Sequence, residues 1–374
     1  MLIQERNEKW LNFFTPAASI VVGSLLAALV VIPILLIDAL VPLLSEDSVI
    51  ATLSVLFLSQ VIGTVLVVFL LIPLLKVKDA EFQEISVTRT LQTGLIFCGS
   101  FAIYSLSNLF FTIIFSALKV EPKSGYDPIL LTAEHLDNPF NIVLLLGLGA
   151  VVGPIFEEYV YRRTLIPLLE ERGMAPFAAV LASSLVFTLA HAPNDLLNAN
   201  MSGTVAHLWA VFIIGMTCGI VYIMTRNVLF PIIIHGLYNG LSFSGYLIML
   251  TEDDGLLQNY GMVILLFLII GLGVMAYAVW KYKKAPTANW VRSIKEKSSY
   301  NIIPGLIGFV VIYVILITIL VLVPLSVWEL SKNGLLTSIT EIVVQVGLFV
   351  VLLWLVTTKT EYIGLTKDAD IVKW

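Results

Sequence analysis

The chain is poor in charged residues. Of its 374 residues, only 13% are Asp, Glu, Lys or Arg, whereas 59% are hydrophobic and the mean hydropathy is +0.97. Soluble domains usually carry about 25% charged residues, and half that share cannot cover a globular surface of this size. The composition therefore excludes a soluble enzyme and a disordered chain, and it leaves a polytopic membrane protein.

The chain also contains few cysteines, and its net charge is negative rather than positive. The two cysteines, Cys98 and Cys218, lie in apolar runs without a CxxC partner, so we expect neither a disulfide framework nor a thiolate metal site. The net charge of −5 argues against nucleic-acid binding, which usually shows a basic stripe. The expected surroundings are the lipid bilayer, and the oligomeric state stays open.

The apolar residues are concentrated in ten segments. Most reach about 20 residues, which suffices for a helix to cross about 30 Å of hydrocarbon, and they are solidly apolar rather than alternating. The sequence therefore predicts an all-α, polytopic membrane protein with about ten transmembrane helices. The segments are Ala17–Leu40, Val49–Leu75, Leu91–Leu118, Phe140–Tyr161, Pro176–Ala192, Val205–Thr225, Val228–Leu250, Tyr260–Trp280, Ile302–Trp328 and Leu335–Thr358.

Lysine and arginine are distributed unevenly between the two sides of this arrangement. Of the 21 basic residues, all but Lys119, Lys123 and Lys332 fall on one side. Cytoplasmic loops carry the excess of Lys and Arg in membrane proteins. We therefore predict that both termini and the loop Lys281–Tyr300 are cytosolic, in a multi-pass protein of a bacterial cell membrane.

The segments suggest four parts along the chain. Residues 1–139 hold three N-terminal transmembrane helices, and residues 140–250 form a core in which polar residues interrupt the apolar runs most densely. Residues 251–300 contain the eighth helix and the basic loop. Residues 301–374 form a two-helix appendage.

Two adjacent carboxylates stand near the end of the fourth segment. Glu158 and Arg162 are four residues apart and can pair on one helix face. Glu157 points about 100° away, on the face of Gly149 and Gly153, where a neighbouring helix can approach closely. This pattern predicts one neutralised carboxylate and one that is free to act as a general base. The alternative is a charge cluster that closes the span at the interface.

Two further helical pairs carry imidazole and amide groups. Phe187 and His191 are four apart in the fifth segment, and His235 and Asn239 are four apart in the seventh. His191 alone is better explained as a hydrogen-bonded core residue than as a catalyst. The pair His235 and Asn239 alone is equally well explained by a hydrogen bond between helices, because hydrocarbon penalises unpaired polar groups. Taken together with Glu157, they include a base for activating water and donors for an oxyanion.

Other catalytic signatures are missing. The sequence contains no HExxH zinc-protease helix and no GxSxG nucleophile elbow. The two remaining histidines, His135 and His207, are expected to lie outside the chemistry.

The polar residues form three motifs in order over about 110 residues, roughly Phe140–Tyr246. Together they resemble the motifs of the CPBP (Abi) family, which contains type II CAAX prenyl endopeptidases and relatives linked to bacteriocin self-immunity. Arg163 departs from the pattern, since many members have glycine there. The motifs are Glu157-Glu158-x-x-x-Arg162, Phe187-x-x-x-His191 and His235-x-x-x-Asn239.

The resemblance implies an intramembrane endopeptidase that acts on a membrane-embedded or lipid-modified peptide or protein. Glu157 and His191 would activate the attacking water, while His235 and Asn239 would stabilise the oxyanion. Three further residues would support the site: Glu158, Arg162 and Phe187.

The cofactor remains open at this point. The family has also been described as metal-dependent, and a zinc ion could be bound by Glu157, His191 and His235 with water in the fourth position. The paired carboxylates and Asn239 favour a glutamate-activated water instead.

Two other functions are compatible with the sequence. Buried charges also mark the pathways of transporters and ion channels, and a catalytically inactive scaffold or immunity protein could keep the same fold. One geometric difficulty also arises, since straight spans place Glu157 and His191 at depths that differ by more than ~10 Å. A kink at Gly153–Pro154, or a fifth segment that begins outside the membrane, would reduce the difference.

Overall fold

The computed structural model describes residues 49–75, 85–122, 133–171, 176–198 and 200–284, with a few single positions between 326 and 347. Over these residues the chain is helical and contains no strand. The seven predicted segments from Val49 to Trp280 each coincide with a helix. The first predicted segment lies outside the described residues, as does almost all of the last two. Ten spans and cytosolic termini therefore remain predictions.

Ten α-helices are numbered here in chain order. They are α1 (Val49–Leu66), α2 (Ile72–Leu75), α3 (Val87–Leu118), α4 (Pro139–Leu146), α5 (Gly153–Glu158), α6 (Ile166–Glu171), α7 (Pro176–Asn198), α8 (Met201–Thr225), α9 (Leu229–Leu250) and α10 (Asp254–Lys284). Single π-helical turns join α1 to α2, α4 to α5 and α5 to α6 without a break, at Val67–Leu71, Gly147–Val152 and Tyr159–Leu165. The continuous run from α4 to α6 is called the glutamate helix below.

Five of these helices are long and apolar enough to cross a membrane, by length and composition. They are α3, the glutamate helix, α8, α9 and α10, and shorter apolar stretches occur at Leu56–Phe69 and Pro176–Ala192. Several apolar helices in one chain are the pattern of an integral, multi-pass membrane protein.

Local sequence signals set the helix ends. The side chain of Ser86 accepts a hydrogen bond from the backbone N–H of Arg89 at the start of α3, and Asn200 does the same for Gly203 at the start of α8. Asn138 caps α4, whose first residue is proline. Lys119 and Arg226 follow α3 and α8 with positive φ angles of 54° and 51°, the left-handed conformation that ends a helix.

The glutamate helix is longer than predicted. The sequence places its end at Tyr161 because two arginines follow, but the helix continues to Glu171. Arg162 is fully buried and pairs with Glu158, so its charge does not require a loop at the membrane surface. Four apolar residues beyond it are also buried: Leu165, Ile166, Leu168 and Leu169.

The chain divides into two compact units. One comprises Met1–Val77, Arg163–Ala182 and Ile294–Trp374, and the other comprises Lys78–Arg162 and Ser183–Ser293. In the second unit, α3 packs against α8 and α10, while α9 packs against α8 and the π turn at Gly147–Val152. A core cluster joins α3, α8 and α9 and consists of Phe97, Phe101, Cys218, Val221, Phe230, Ile234 and Tyr238. All candidate catalytic residues lie in this second unit.

Candidate active site

Three helices bring the predicted residues together. Glu157 and Glu158 lie at the end of α5, Phe187 and His191 on α7, and His235 and Asn239 on α9. Hydrogen bonds, ion pairs and ring contacts connect these side chains, as described below. The grouping predicted from the three motifs is thus present, although the role of each residue is a separate question.

A buried network forms the inner wall of the site. Nε of Arg162 lies 3.1 Å from Oε2 of Glu158, and both side chains are fully buried. The contact is an ion pair rather than a well-aligned hydrogen bond. The other oxygen of Glu158 lies 2.8 Å from Nδ1 of His235. Glu158 therefore holds the imidazole of His235 as well as the arginine.

A charged guanidinium in an apolar bundle needs several partners. Besides Glu158, Nη2 of Arg162 donates a hydrogen bond of 3.1 Å to the carbonyl of Gly215 on α8. The guanidinium also lies 4.6 Å from the centroid of the Phe187 ring, within cation–π range. Arg162 thus ties three helices together through its contacts with Glu158, Gly215 and Phe187.

Glu157 faces both histidines. Its Oε2 lies 3.5 Å from Nε2 of His235, and its Oε1 lies 3.9 Å from Nε2 of His191. The Glu157 side chain is 21% exposed and that of His191 is 18% exposed, whereas Glu158 is fully buried. The two adjacent carboxylates are therefore in different environments, as the sequence predicts.

Hydrogen bonds at Nδ1 orient both imidazoles. Nδ1 of His191 lies 2.9 Å from the backbone carbonyl of Phe187. A carbonyl only accepts, so this nitrogen carries the proton. Nδ1 of His235 faces the Glu158 carboxylate in the same way. Both rings consequently present Nε2 to Glu157.

Asn239 is anchored to a carbonyl that a π turn leaves free. The N–H of Gly153 bonds to Leu148 instead of Gly149, as expected for π geometry. The Gly149 carbonyl instead accepts a 2.8 Å hydrogen bond from Nδ2 of Asn239. One of the two amide protons of Asn239 is used here, and the other remains available as a donor.

Small residues allow α9 to approach the glutamate helix closely, as the sequence predicts for Gly149. A Cβ atom on Gly149 would collide with the ring of Phe243, and one on Gly236 would lie 2.5 Å from the carbonyl oxygen of Ala150. Gly236 directly follows His235. The close crossing therefore helps to set the position of that imidazole relative to Glu157.

The structure brings Glu157 and His191 together, although straight, shorter spans would place them at different depths. Because the glutamate helix continues to Glu171, Glu157 lies about 20 Å before its end, at ~1.5 Å per residue. His191 lies a similar distance, about 20 Å, after the start of the next helix at Pro176. Between the two side chains, Oε1 of Glu157 and Nε2 of His191 lie 3.9 Å apart.

Phe187 lies at the centre of the ring contacts. It is almost fully buried, and its centroid is 4.8 Å from that of His191 and 5.6 Å from that of His235, both in edge-to-face orientation. The supporting role predicted for Phe187 is consistent with this position.

His207 lies closer to the predicted site than its place near the end of the sixth segment suggests. The sequence places it away from the chemistry, but its ring centroid lies 6.0 Å from that of His191. From Val205 to Val211 the other residues of α8 are apolar, so no motif signals the contact. His135 lies in the short 3-10 helix Ala133–Asp137, and its backbone carbonyl accepts a hydrogen bond from Asn141.

The zinc alternative receives no support from the geometry. Within the described ranges, no group of three or more His, Cys, Asp or Glu side chains is arranged to hold a metal ion. Glu157, His191 and His235 are neighbours, and both imidazoles direct Nε2 toward Glu157. Metal independence stays a prediction, and the chemistry below is derived from the side chains alone.

Comparisons with known proteins agree with the motifs. Residues 139–241 match the family model described as type II CAAX prenyl endopeptidase Rce1-like. Over 219 residues the chain is 25% identical to the membrane-embedded CAAX protease MroQ of Staphylococcus aureus (strain USA300), covering 56% of this chain and 81% of the relative. No solved structure matches significantly. Neither match supports a metalloprotease or a role in bacteriocin immunity. The predicted family resemblance is therefore confirmed over residues 139–241, which match the Rce1-like CAAX endopeptidase model.

Proposed function

We propose that this protein is an intramembrane endopeptidase that hydrolyses a peptide bond with a water molecule activated by Glu157. The observation that carries the proposal is the convergence of two imidazole Nε2 atoms on one carboxylate, at 3.5 Å and 3.9 Å. These separations exceed direct hydrogen-bond length. A water molecule about 2.8 Å from both Glu157 and His191 fits such a gap.

The chemistry follows from this arrangement. The water donates one proton toward Glu157 while its oxygen attacks the scissile carbonyl, and the proton passes from Glu157 to the leaving nitrogen. His191, with Nδ1 held by the Phe187 carbonyl, keeps Nε2 aimed at the water and shares its second proton. The products are a carboxylate and an amine, with no oxidant or co-reactant required.

The tetrahedral intermediate needs hydrogen-bond donors. The free amide proton of Asn239 is one, and Nε2 of His235 is the other when it is protonated. Glu158 supports this second role, because its carboxylate at Nδ1 fixes the orientation of the ring. The buried Glu158–Arg162 pair thus acts on the reaction through His235.

The proposed substrate is a membrane-embedded or lipid-modified peptide or protein. Glu157 and His235 lie on helices long enough to cross a bilayer. The side chains of Glu157 and His191 are only partly exposed. The related MroQ is a CAAX protease by name. We extend a CAAX-type substrate, cleaved near its lipid-modified end, to this chain as part of the proposal.

An isotope experiment tests the reaction type. The purified full chain in liposomes is incubated with a farnesylated CAAX-type peptide, or its unmodified counterpart, in water enriched in ¹⁸O. We expect one ¹⁸O atom in the new carboxylate, found by mass spectrometry, and faster cleavage of the farnesylated peptide. Full activity after dialysis against a chelator is expected as well. An absence of cleavage in both peptides would favour the transporter or scaffold interpretation.

A further inference from the structure

A third imidazole lies next to the proposed catalytic pair. His207 on α8 contacts His191 on α7, with ring centroids 6.0 Å apart and planes at 67°. Such edge-to-face contacts stabilise one ring orientation over others. Nothing in the proposed mechanism uses His207, and the three motifs do not include it.

The two site histidines differ in how firmly they are held. His235 is 4% exposed and its Nδ1 is fixed at 2.8 Å by the charged carboxylate of Glu158. His191 is 18% exposed, and its Nδ1 bonds to the backbone carbonyl of Phe187 on its own helix. A base in a catalytic arrangement usually needs a further group to orient it. For His191, a ring contact from a different helix comes from His207.

We propose that His207 is a positioning residue for His191: its ring holds the His191 imidazole with Nε2 directed toward Glu157. The inference rests on the proposed function for its catalytic consequence. The structural part of the proposal, which is the orientation of the His191 ring, can be tested without any substrate.

Because the chain has four histidines, the signals of each histidine ring can be followed separately by NMR. In ¹⁵N-histidine NMR spectra of the full chain in detergent micelles, single substitutions assign each signal. We expect His207→Ala to shift or broaden the His191 ring signals and to lower its Nδ1–H tautomer fraction. The signals of His235 and His135 should not move. Unchanged His191 signals in His207→Ala would overturn the proposal, and His207→Phe should preserve them because it keeps a ring.

Enzyme kinetics provide a second test of the positioning role of His207. We expect His207→Ala to lower kcat about tenfold at unchanged KM, since small displacements of catalytic groups have effects of this size or larger. His207→Phe should restore most of the rate. The control is Val205→Ala, which changes an exposed apolar residue on the same helix. If the wild type cleaves and His207→Ala retains full kcat, the positioning role is wrong. If the wild type does not cleave, the proposed function fails, while the NMR result still decides the orientation of His191.

Discussion

Adjacent residues of one helix have opposite tasks in this molecule. Glu158 is fully buried between Arg162 and His235, whereas Glu157 is 21% exposed and faces two Nε2 atoms. A helical step of about 100° separates two neighbouring side chains enough to place one in a fixed network and the other in the site. The charges that stabilise the bundle are thus separate from the charge that is proposed to react.

Because Glu157 and Glu158 lie in different environments, replacing each of them by glutamine should have different effects. Glu158→Gln leaves the guanidinium of Arg162 buried without its anionic partner. Breaking a buried pair in this way typically costs about 3–5 kcal/mol. We expect a strongly lowered midpoint of thermal unfolding in detergent, together with lost activity. Glu157→Gln should unfold near the wild-type temperature. Equal stability of Glu158→Gln and the wild type would contradict the network described here.

Much of this site can be predicted from the spacing of individual residues in the sequence. The four-residue spacings predict the Glu158–Arg162 pair and bring His235 and Asn239 onto one face, and the structure contains the predicted ion pair. The contact of His207 with His191 could not be predicted, because it depends on how α7 and α8 pack. The bond between Glu158 and His235 likewise joins residues far apart in the sequence.

At the scale of helices, the π turns connect local backbone geometry to the site. The turn at Gly147–Val152 frees the Gly149 carbonyl for Asn239, and in the turn at Tyr159–Leu165 the Tyr161 carbonyl accepts a 2.7 Å hydrogen bond from Ser183 on α7. Each turn therefore binds a neighbouring helix that carries a motif. A pattern based on 3.6 residues per turn cannot reveal such turns, and π turns often mark functional sites.

The close crossing of α9 and the glutamate helix gives a prediction with a matched control. In Gly236→Ala, the new Cβ would lie 2.5 Å from the Ala150 carbonyl oxygen, and backbone atoms must move to relieve the contact. In Gly240→Ala, the Cβ would lie 3.6 Å from the Ala150 Cβ, an ordinary contact. We expect Gly236→Ala to lose about 1–3 kcal/mol of stability and most of the activity.

Both variants are compared by thermal unfolding and by peptide cleavage, and the control Gly240→Ala should behave differently from Gly236→Ala. Gly240→Ala should be as stable as the wild type or slightly more stable, since alanine is the better helix former. If Gly236→Ala and Gly240→Ala behave alike, the close approach does not control the site.

At the scale of the whole molecule, the hydropathy pattern predicts the helices well and their ends less well. Seven predicted segments coincide with helices, yet the sequence predicts the end of the glutamate helix too early, at Tyr161. The reason is that a sequence shows Arg162 as a charge but does not show that Glu158 neutralises it inside the bundle.

The predicted orientation in the membrane follows from the basic residues and can be measured in cells. After replacement of Cys98 and Cys218 by serine, single cysteines are introduced as Ser293→Cys and Glu134→Cys. A membrane-impermeant thiol reagent applied from outside should label the cysteine at position 134 and leave position 293 unlabelled. The opposite pattern would invert the topology, including the predicted cytosolic termini.

The central claim is that Glu157 activates the water that hydrolyses the peptide bond. The most direct measurement compares kcat of Glu157→Gln and Glu252→Gln with the wild type on the farnesylated peptide in liposomes. Glutamine keeps the size of the side chain but removes the base, and Glu252 is an exposed carboxylate in the turn after α9. We expect Glu157→Gln to lose at least ~10²-fold in kcat with normal membrane insertion and stability, and Glu252→Gln to retain full activity. A Glu157→Gln variant that cleaves at the wild-type rate would contradict the mechanism.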